Sequence, residues 1–206
     1  MSDYPSSGTA ERERQITWNG KKLSLHAISA PKNTSSMSVL GLSCDGGTCD
    51  VVGYSTKGAS VIGESLTARG TSLGKPHTAN GDSLYGVSCV SKSLCYAAGN
   101  LATKAGLVVT IKGGVIGSPK GVASDLHDIA CSGSKCIAVG LQIPPKPSSD
   151  VYWGTLVSVS AGQPTGTTFV TQSFGFDGIA RIGAFFAAAG PSQQGNPKLP
   201  SEVTTG

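Results

Sequence analysis

The sequence predicts an all-β fold, a β-propeller of about four four-stranded antiparallel blades with a disulfide inside each of three blades, closed by pairing of the N- and C-terminal strands. Three observations carry this. Gly 29 and Pro 11 among 206 residues, with charged residues at 14%, suit many short strands joined by tight turns. The chain repeats itself at blade length. Its six cysteines fall into three local pairs, each at the same place in the repeat.

The repeat is read from "VLGLSCDGGTCDVVGY" (39 to 54), "LYGVSCVSKSLCYAAGN" (84 to 100) and "LHDIACSGSKCIAVGL" (126 to 141). Each is an alternating apolar run, a cysteine, a polar turn, a second cysteine and a small apolar run closed by Gly53, Gly99 or Gly140. A fourth copy, "FDGIARIGAFFAAAG" (176 to 190), ends at Gly190 and has Arg181 and Phe186 in place of the cysteines. The steps between these glycines are 46, 41 and 50 residues, the differences being loop insertions.

Apolar residues alternate or run in short β-branched stretches and never follow helical spacing over three turns. Residues 84 to 124 therefore read as four strands: "LYGVSC", "CYAAG", "AGLVVTIKGG" and a weaker one near "VIGSPKGVA". Blades are expected at about 38–80, 81–124 and 125–174. A fourth, 175–190, ends too early, and residues 14–36 are expected to complete it, with Trp18 buried beside Phe185 or Phe186. Residues 1–13 read as a flexible N-terminal segment, and 191–206 as a tail rich in Pro, Gln and Ser.

The first two strands of a unit make a hairpin with its cysteines at either end of the turn. Opposed positions on antiparallel strands lie about 5 Å apart, within reach of a disulfide. The expected bridges are Cys44–Cys49, Cys89–Cys95 and Cys131–Cys136. Tetrahedral zinc needs four ligands, and cysteines on separate blades cannot supply them together. A redox motif would have two intervening residues, not four or five. Three local pairs with none left over suit an oxidising compartment. No metal is expected.

The pattern "L-x-G-V-S-C … C-x-A-V-G" at blade-length period resembles the repeats of secreted actinobacterial β-propeller proteins, and more distantly sialidase-like and photosystem-assembly-factor propellers. The resemblance covers residues 38 to 190 and implies fold and a secreted or cell-surface location. It implies no particular activity.

Composition narrows the function classes. Net charge is +4 with Lys and Arg scattered, so there is no basic stripe for nucleic acid. No window reaches the 18 or so apolar residues of a membrane span. "MSDYPSSGTAERER" has no secretory signal, so such a signal is expected to have been removed or to lie outside this chain.

The search for chemistry returns little. Arg12, Arg14, Arg69 and Arg181 are the only arginines, too dispersed for a sialidase triad. Asp45, Asp82, Asp125 and Asp150 read as turn formers. His26 and His77 fall on outer fourth strands. His127 stands beside Asp128 near the channel mouth, but adjacent strand residues point to opposite faces. No catalytic residue is assigned and no cofactor is expected.

The expected function is a secreted, non-catalytic module that binds a protein or glycan through one face, opposite the cysteine turns. The second-to-third-strand and inter-blade loops there supply Tyr54, Lys57, Asp82, Asn100, Lys104, Asp125, Gln142 and Asp150. The stiff loop "LQIPPKPSSD" leads to Tyr152 and Trp153, residues suited to anchoring a contact. Two alternatives are an extracellular polysaccharide hydrolase or lyase, and a self-assembling structural subunit of a surface layer, fibre or virion.

Overall fold

A computed structural model describes residues 14–18, 23–27, 36–69, 72–80, 82–103, 105–142, 152–171, 173–191 and 202–205, the strands at 14–18, 23–27 and 202–205 by their backbone alone. All regular elements among them are β. Strands β1 (Arg14–Trp18) and β2 (Leu23–Ala27) pair with each other. Unit 1 comprises β3 (Ser36–Asp45), β4 (Thr48–Lys57), β5 (Ser60–Arg69), β6 (Ser72–Leu73) and β7 (His77–Asn80). Unit 2 comprises β8 (Asp82–Ser91), β9 (Leu94–Leu101), β10 (Gly106–Lys112), β11 (Val115–Ile116) and β12 (Lys120–Val122). Unit 3 has β13 (Asp125–Ser132), β14 (Lys135–Gln142), β15 (Trp153–Ser160) and β16 (Gln163–Val170), and unit 4 has β17 (Gly178–Ile182), β18 (Phe185–Ala189) and β19 (Glu202–Thr205). Each unit is an antiparallel meander in chain order.

The fourth strand is continuous in unit 3 and broken in units 1 and 2. The breaks hold Gly74 and Pro76, and Gly117 and Pro119, residues that weaken or cannot donate to a ladder. Both breaks are tied back alike: Gly74 N–H donates to the Thr67 carbonyl (2.7 Å) and Gly117 N–H to that of Thr110 (2.8 Å).

First strands pack on one another in order, β3 on β8, β8 on β13 and β13 on β17. The core lies in the seams between units. Val52 of unit 1 meets Leu84, Val87, Ala97 and Leu107 of unit 2. Tyr96, Ala98 and Val108 of unit 2 meet Leu126, Ile129 and Ala138 of unit 3. Val139 and Leu156 of unit 3 meet Phe176 and Ala188 of unit 4. Each Val, Leu, Ile or Phe among them contributes about 1.5–3 kcal/mol on burial, and each Ala less.

Two devices explain the repeat motif. At each closing glycine, Gly53, Gly99, Gly140 and Gly190, an added Cβ would collide with a backbone carbonyl of the unit's first strand or its approach, at Ser38, Ser83, Asp125 and Gly175. The inner hairpin is that tight, so the position excludes any side chain. The serine before the cysteine then stitches units together: Ser43 Oγ accepts from Cys89 N–H (2.9 Å) and Ser88 Oγ from Cys131 N–H (3.0 Å). Unit 3 has Ala130 there, and Asp128 takes over, its Oδ2 accepting from Ile179 N–H (2.9 Å).

The three expected disulfides are present, joining directly opposed residues of three hairpins. Arg181 and Phe186 are opposed in the same way in unit 4. The closing pairing differs from the expected one. β18 takes β19, from the segment read as a tail, and β1 and β2 pair with each other. The Pro, Gln and Ser around "SEVTTG" hide a short β-branched stretch, Val203 to Thr205, that can still pair. Whether Trp18 is buried falls outside the described side chains, and Phe185 is exposed.

Candidate functional site

Register shifts mark three first strands at one place: between Val39 and Gly41, Leu84 and Gly86, and Leu126 and Asp128. The extra residue in each bulge is Leu40, Tyr85 or His127, and Asp177 holds the matching position before β17. Bulges re-aim side chains and gather near functional sites. Here they place one extra residue in each of units 1, 2 and 3 near the end of the hairpins opposite the cysteine turns.

Three of the four meet in a row. The Tyr85 ring stands edge-on to that of His127, centroids 6.4 Å apart. His127 Nδ1 lies 3.4 Å from Asp177 Oδ1, and its Nε2 lies 3.8 Å from Asp125 Oδ1. Asp128, the sequence neighbour of His127, serves the backbone instead, accepting from Ile129 and Ile179 N–H. Burial raises its carboxyl above the ordinary value near 3.8.

Beside this row, between units 1 and 2, lies an open groove of about 900 Å³. Its walls include Lys57 and Ser60 from one second-to-third turn, Asn100 from the next, and Ser83, Tyr85 and Asp125 from first strands. Asn100 is a bracket. Its Nδ2 donates to Asp125 Oδ1 and its Oδ1 accepts from Leu126 N–H (2.9 Å), which fixes the Asp125 carboxylate at the rim.

Of the residues expected on the binding face, Lys57, Asn100 and Asp125 thus share one groove. Asp82 opens β8 and is buried, its carboxyl raised by desolvation. Tyr152 is exposed at the approach to β15, and Trp153 packs against Phe169 at 5.9 Å between ring centroids. Lys104 and Asp150 lie outside the described residues. Tyr85 and Asp177 escape a residue-by-residue search, yet aligning the four repeats puts Leu40, Tyr85, His127 and Asp177 in one varying column before a glycine or aspartate.

Asp50, Cys89 and Cys95 cluster in the seam between units 1 and 2, with Asp50 Oδ2 2.9 Å from Cys95 Sγ. Both sulfurs are committed to the disulfide and carry no proton or free thiolate, so the group offers one carboxylate and no metal chelate.

No family model matches the chain, and no curated protein does. Solved structures do. A subtype N11 neuraminidase-like protein of A/flat-faced bat/Peru/033/2010 (H18N11) superposes with TM-score 0.51 at 13% identity, over 89% of this chain and 54% of the other. The β-propeller domain of the Trilobed protease from Pyrococcus furiosus does so with TM-score 0.51 at 9% identity, over 84% and 57%. The fold is a β-propeller. The chain spans about half the length of the propellers it matches, and identity at this level carries fold alone. No helix among the described residues is long and apolar enough to cross a membrane.

Proposed function

We propose that this propeller is an extracellular binding module that takes a glycan in the groove opposite its cysteine turns. The carrying observation is the groove itself, in which an aromatic edge, a carboxylate, an amide and an ammonium group converge from two units and the start of a third. A sugar presents hydroxyls that both donate and accept, and a C–H face that lies against an aromatic ring. Tyr85 supplies the ring, Asp125 the acceptor and Lys57 the donor. The Asn100 bracket holds Asp125 in place before any ligand arrives, which lowers the ordering cost of binding. Three local disulfides, and the likeness of the motif to secreted actinobacterial propeller repeats, support an oxidising, extracellular location.

The test is retention of the protein on an array of neutral and acidic oligosaccharides, repeated with Tyr85→Ala and Asp125→Asn. Selective retention, weakened at least tenfold by each substitution, is expected. No retention on any sugar, or retention indifferent to both substitutions, refutes the reading. Shortened oligosaccharides after incubation, abolished by Asp125→Asn, would favour the polysaccharide-cleaving alternative.

A further inference from the structure

In units 1 and 2 the second strand lays one side chain over the cysteine pair of the next unit. On β4 it is Asp50, opposed to Ser43, and on β9 it is Tyr96, opposed to Ser88. Tyr96 is 3% exposed and packs with Cys131 and Cys136, covering that bridge with an aromatic ring. Asp50 is 2% exposed and puts a carboxyl group against the Cys89–Cys95 bridge instead. Its Oδ1 accepts from Thr67 Oγ1 (2.9 Å), while its Oδ2 lies 2.9 Å from Cys95 Sγ and 3.9 Å from Cys89 Sγ. A disulfide sulfur has no proton to give, so a contact this short places the proton on Oδ2 and makes Asp50 the donor. Burial acts in the same direction, raising the carboxyl above its ordinary value near 3.8 against the opposing hydrogen bond from Thr67.

We propose that Cys89 is a modification site for small thiols, with Cys95 as the leaving group and Asp50 as its proton donor. The thiolate of the incoming molecule attacks Cys89 Sγ and forms a mixed disulfide there. The Cys89–Cys95 bond breaks, its electron pair passes to Cys95 Sγ, and that sulfur takes the proton from Asp50 Oδ2. The incoming sulfur is oxidised and Cys95 is reduced to a thiol, with the Asp50 carboxylate left between Thr67 and Cys95. Exchange is faster when the departing sulfur is stabilised, and a proton donor in contact with it does this. Cys95 is 0% exposed and Cys89 only part-buried, so the attack falls on Cys89. Lys92, exposed in the turn between the two cysteines, adds a positive charge that favours an anionic thiol. Of the other titratable groups on the strands packed here, Asp45, Arg69, His77 and Lys92 are exposed. Glu64 and Tyr96 face away on their own strands, and Asp82 and Tyr85 lie at the far end of β8. Thr67 and the bridge are thus the close partners of Asp50 among the described residues.

The test incubates the 206-residue protein with glutathione across about pH 4 to 8, quenches with an alkylating agent and reads every cysteine by peptide mass spectrometry. The opening rate at each bridge is divided by the concentration of glutathione thiolate. Glutathione is expected on Cys89 and the alkyl label on Cys95. The corrected rate at this bridge should fall about tenfold as pH rises and Asp50 ionises, while that of Cys44–Cys49, whose Cys44 is exposed, stays flat. Asp50→Asn keeps the shape and removes the proton, so it should slow opening about tenfold at the acid end and abolish the pH dependence. Thr67→Val removes the hydrogen bond that favours the ionised carboxyl and should carry fast opening to higher pH. Cooperative thermal unfolding confirms the fold of each variant, and Thr67→Val decides alone if Asp50→Asn does not fold. No adduct at this bridge, glutathione on Cys95, a corrected rate that is flat or rises with pH, or variants that open as the wild type does would each overturn the proposal.

Discussion

The two ends of the inner hairpins obey different rules. At the cysteine turns units 1, 3 and 4 are near copies, and unit 2 carries one more residue. Gly46 and Gly47 adopt φ of 52° and 81° in the two-residue turn of unit 1, the mirror-type geometry that matches strand twist. Gly133 and Gly183 open the turns of units 3 and 4 with φ near the same value, 59° and 62°. Below them sit a cysteine pair or the equally opposed Arg181 and Phe186. At the opposite end the same strands diverge, presenting Leu40, Tyr85, His127 and Asp177 from one bulge position. The backbone is fixed at both ends, by turn glycines at the first in units 1, 3 and 4 and by the closing glycines at the second in all four units, and only the bulged side chains at the second vary because they leave the sheet. The backbone is repeated at both ends, and the side chains of the surface proposed for recognition vary where the strands bulge.

That contrast can be broken by placing a side chain where the backbone forbids one. Gly140→Val should cost on the order of 3 kcal/mol or more, because its side chain would collide with the Asp125 carbonyl. Urea unfolding measures it, and a cost under 1 kcal/mol would show that the hairpin relaxes. A staple added where the repeat lost one sharpens the same comparison. Arg181→Cys with Phe186→Cys should form a fourth bridge and stabilise unit 4 by about 2 kcal/mol over the reduced form. Removing a stitch should cost less. Ser88→Ala leaves Cys131 N–H without its acceptor, a loss of about 1 kcal/mol, and Ala130→Ser should change stability little because Asp128 already serves that seam.

The smallest effect is a matter of pH. Burial raises the carboxyl groups of Asp50, Glu64, Asp82 and Asp128 in the folded protein. Each then binds its proton more tightly folded than unfolded, so its contribution is greatest below the unfolded value, near 3.8 for aspartate and 4.5 for glutamate. That contribution is lost as pH rises through the raised folded value. Stability should therefore fall as pH rises from the unfolded carboxyl values through the raised folded ones, and Asp50→Asn should flatten part of the slope. A Tm that rises over that range in wild type would contradict the assignment.

Much of this was legible in the sequence because it rests on backbone rules. Glycine spacing set the units, opposed cysteines set the bridges, and the fourth strand of unit 2 near "VIGSPKGVA" read as the weaker one. The proposed binding face was legible only in part. Lys57, Asn100 and Asp125 follow from loop position, since any second-to-third turn lies at that end. The partnership of His127 with Asp177, rather than with its neighbour Asp128, depends on a bulge that shifts the alternation by one residue. No pattern of apolar residues announces such a shift. The strand that completes unit 4 was missed because "SEVTTG" is short and set among turn formers.

The most direct test of the division between a structural and a recognition end is a hydrogen-exchange footprint, with and without a saccharide retained on the array. Added protection is predicted at residues 57–62, 83–86, 100–102 and 125–128, with the cysteine turns at 45–48, 91–94 and 132–135 unchanged. Protection concentrated at those turns, or none along the groove while the sugar is bound, would contradict it.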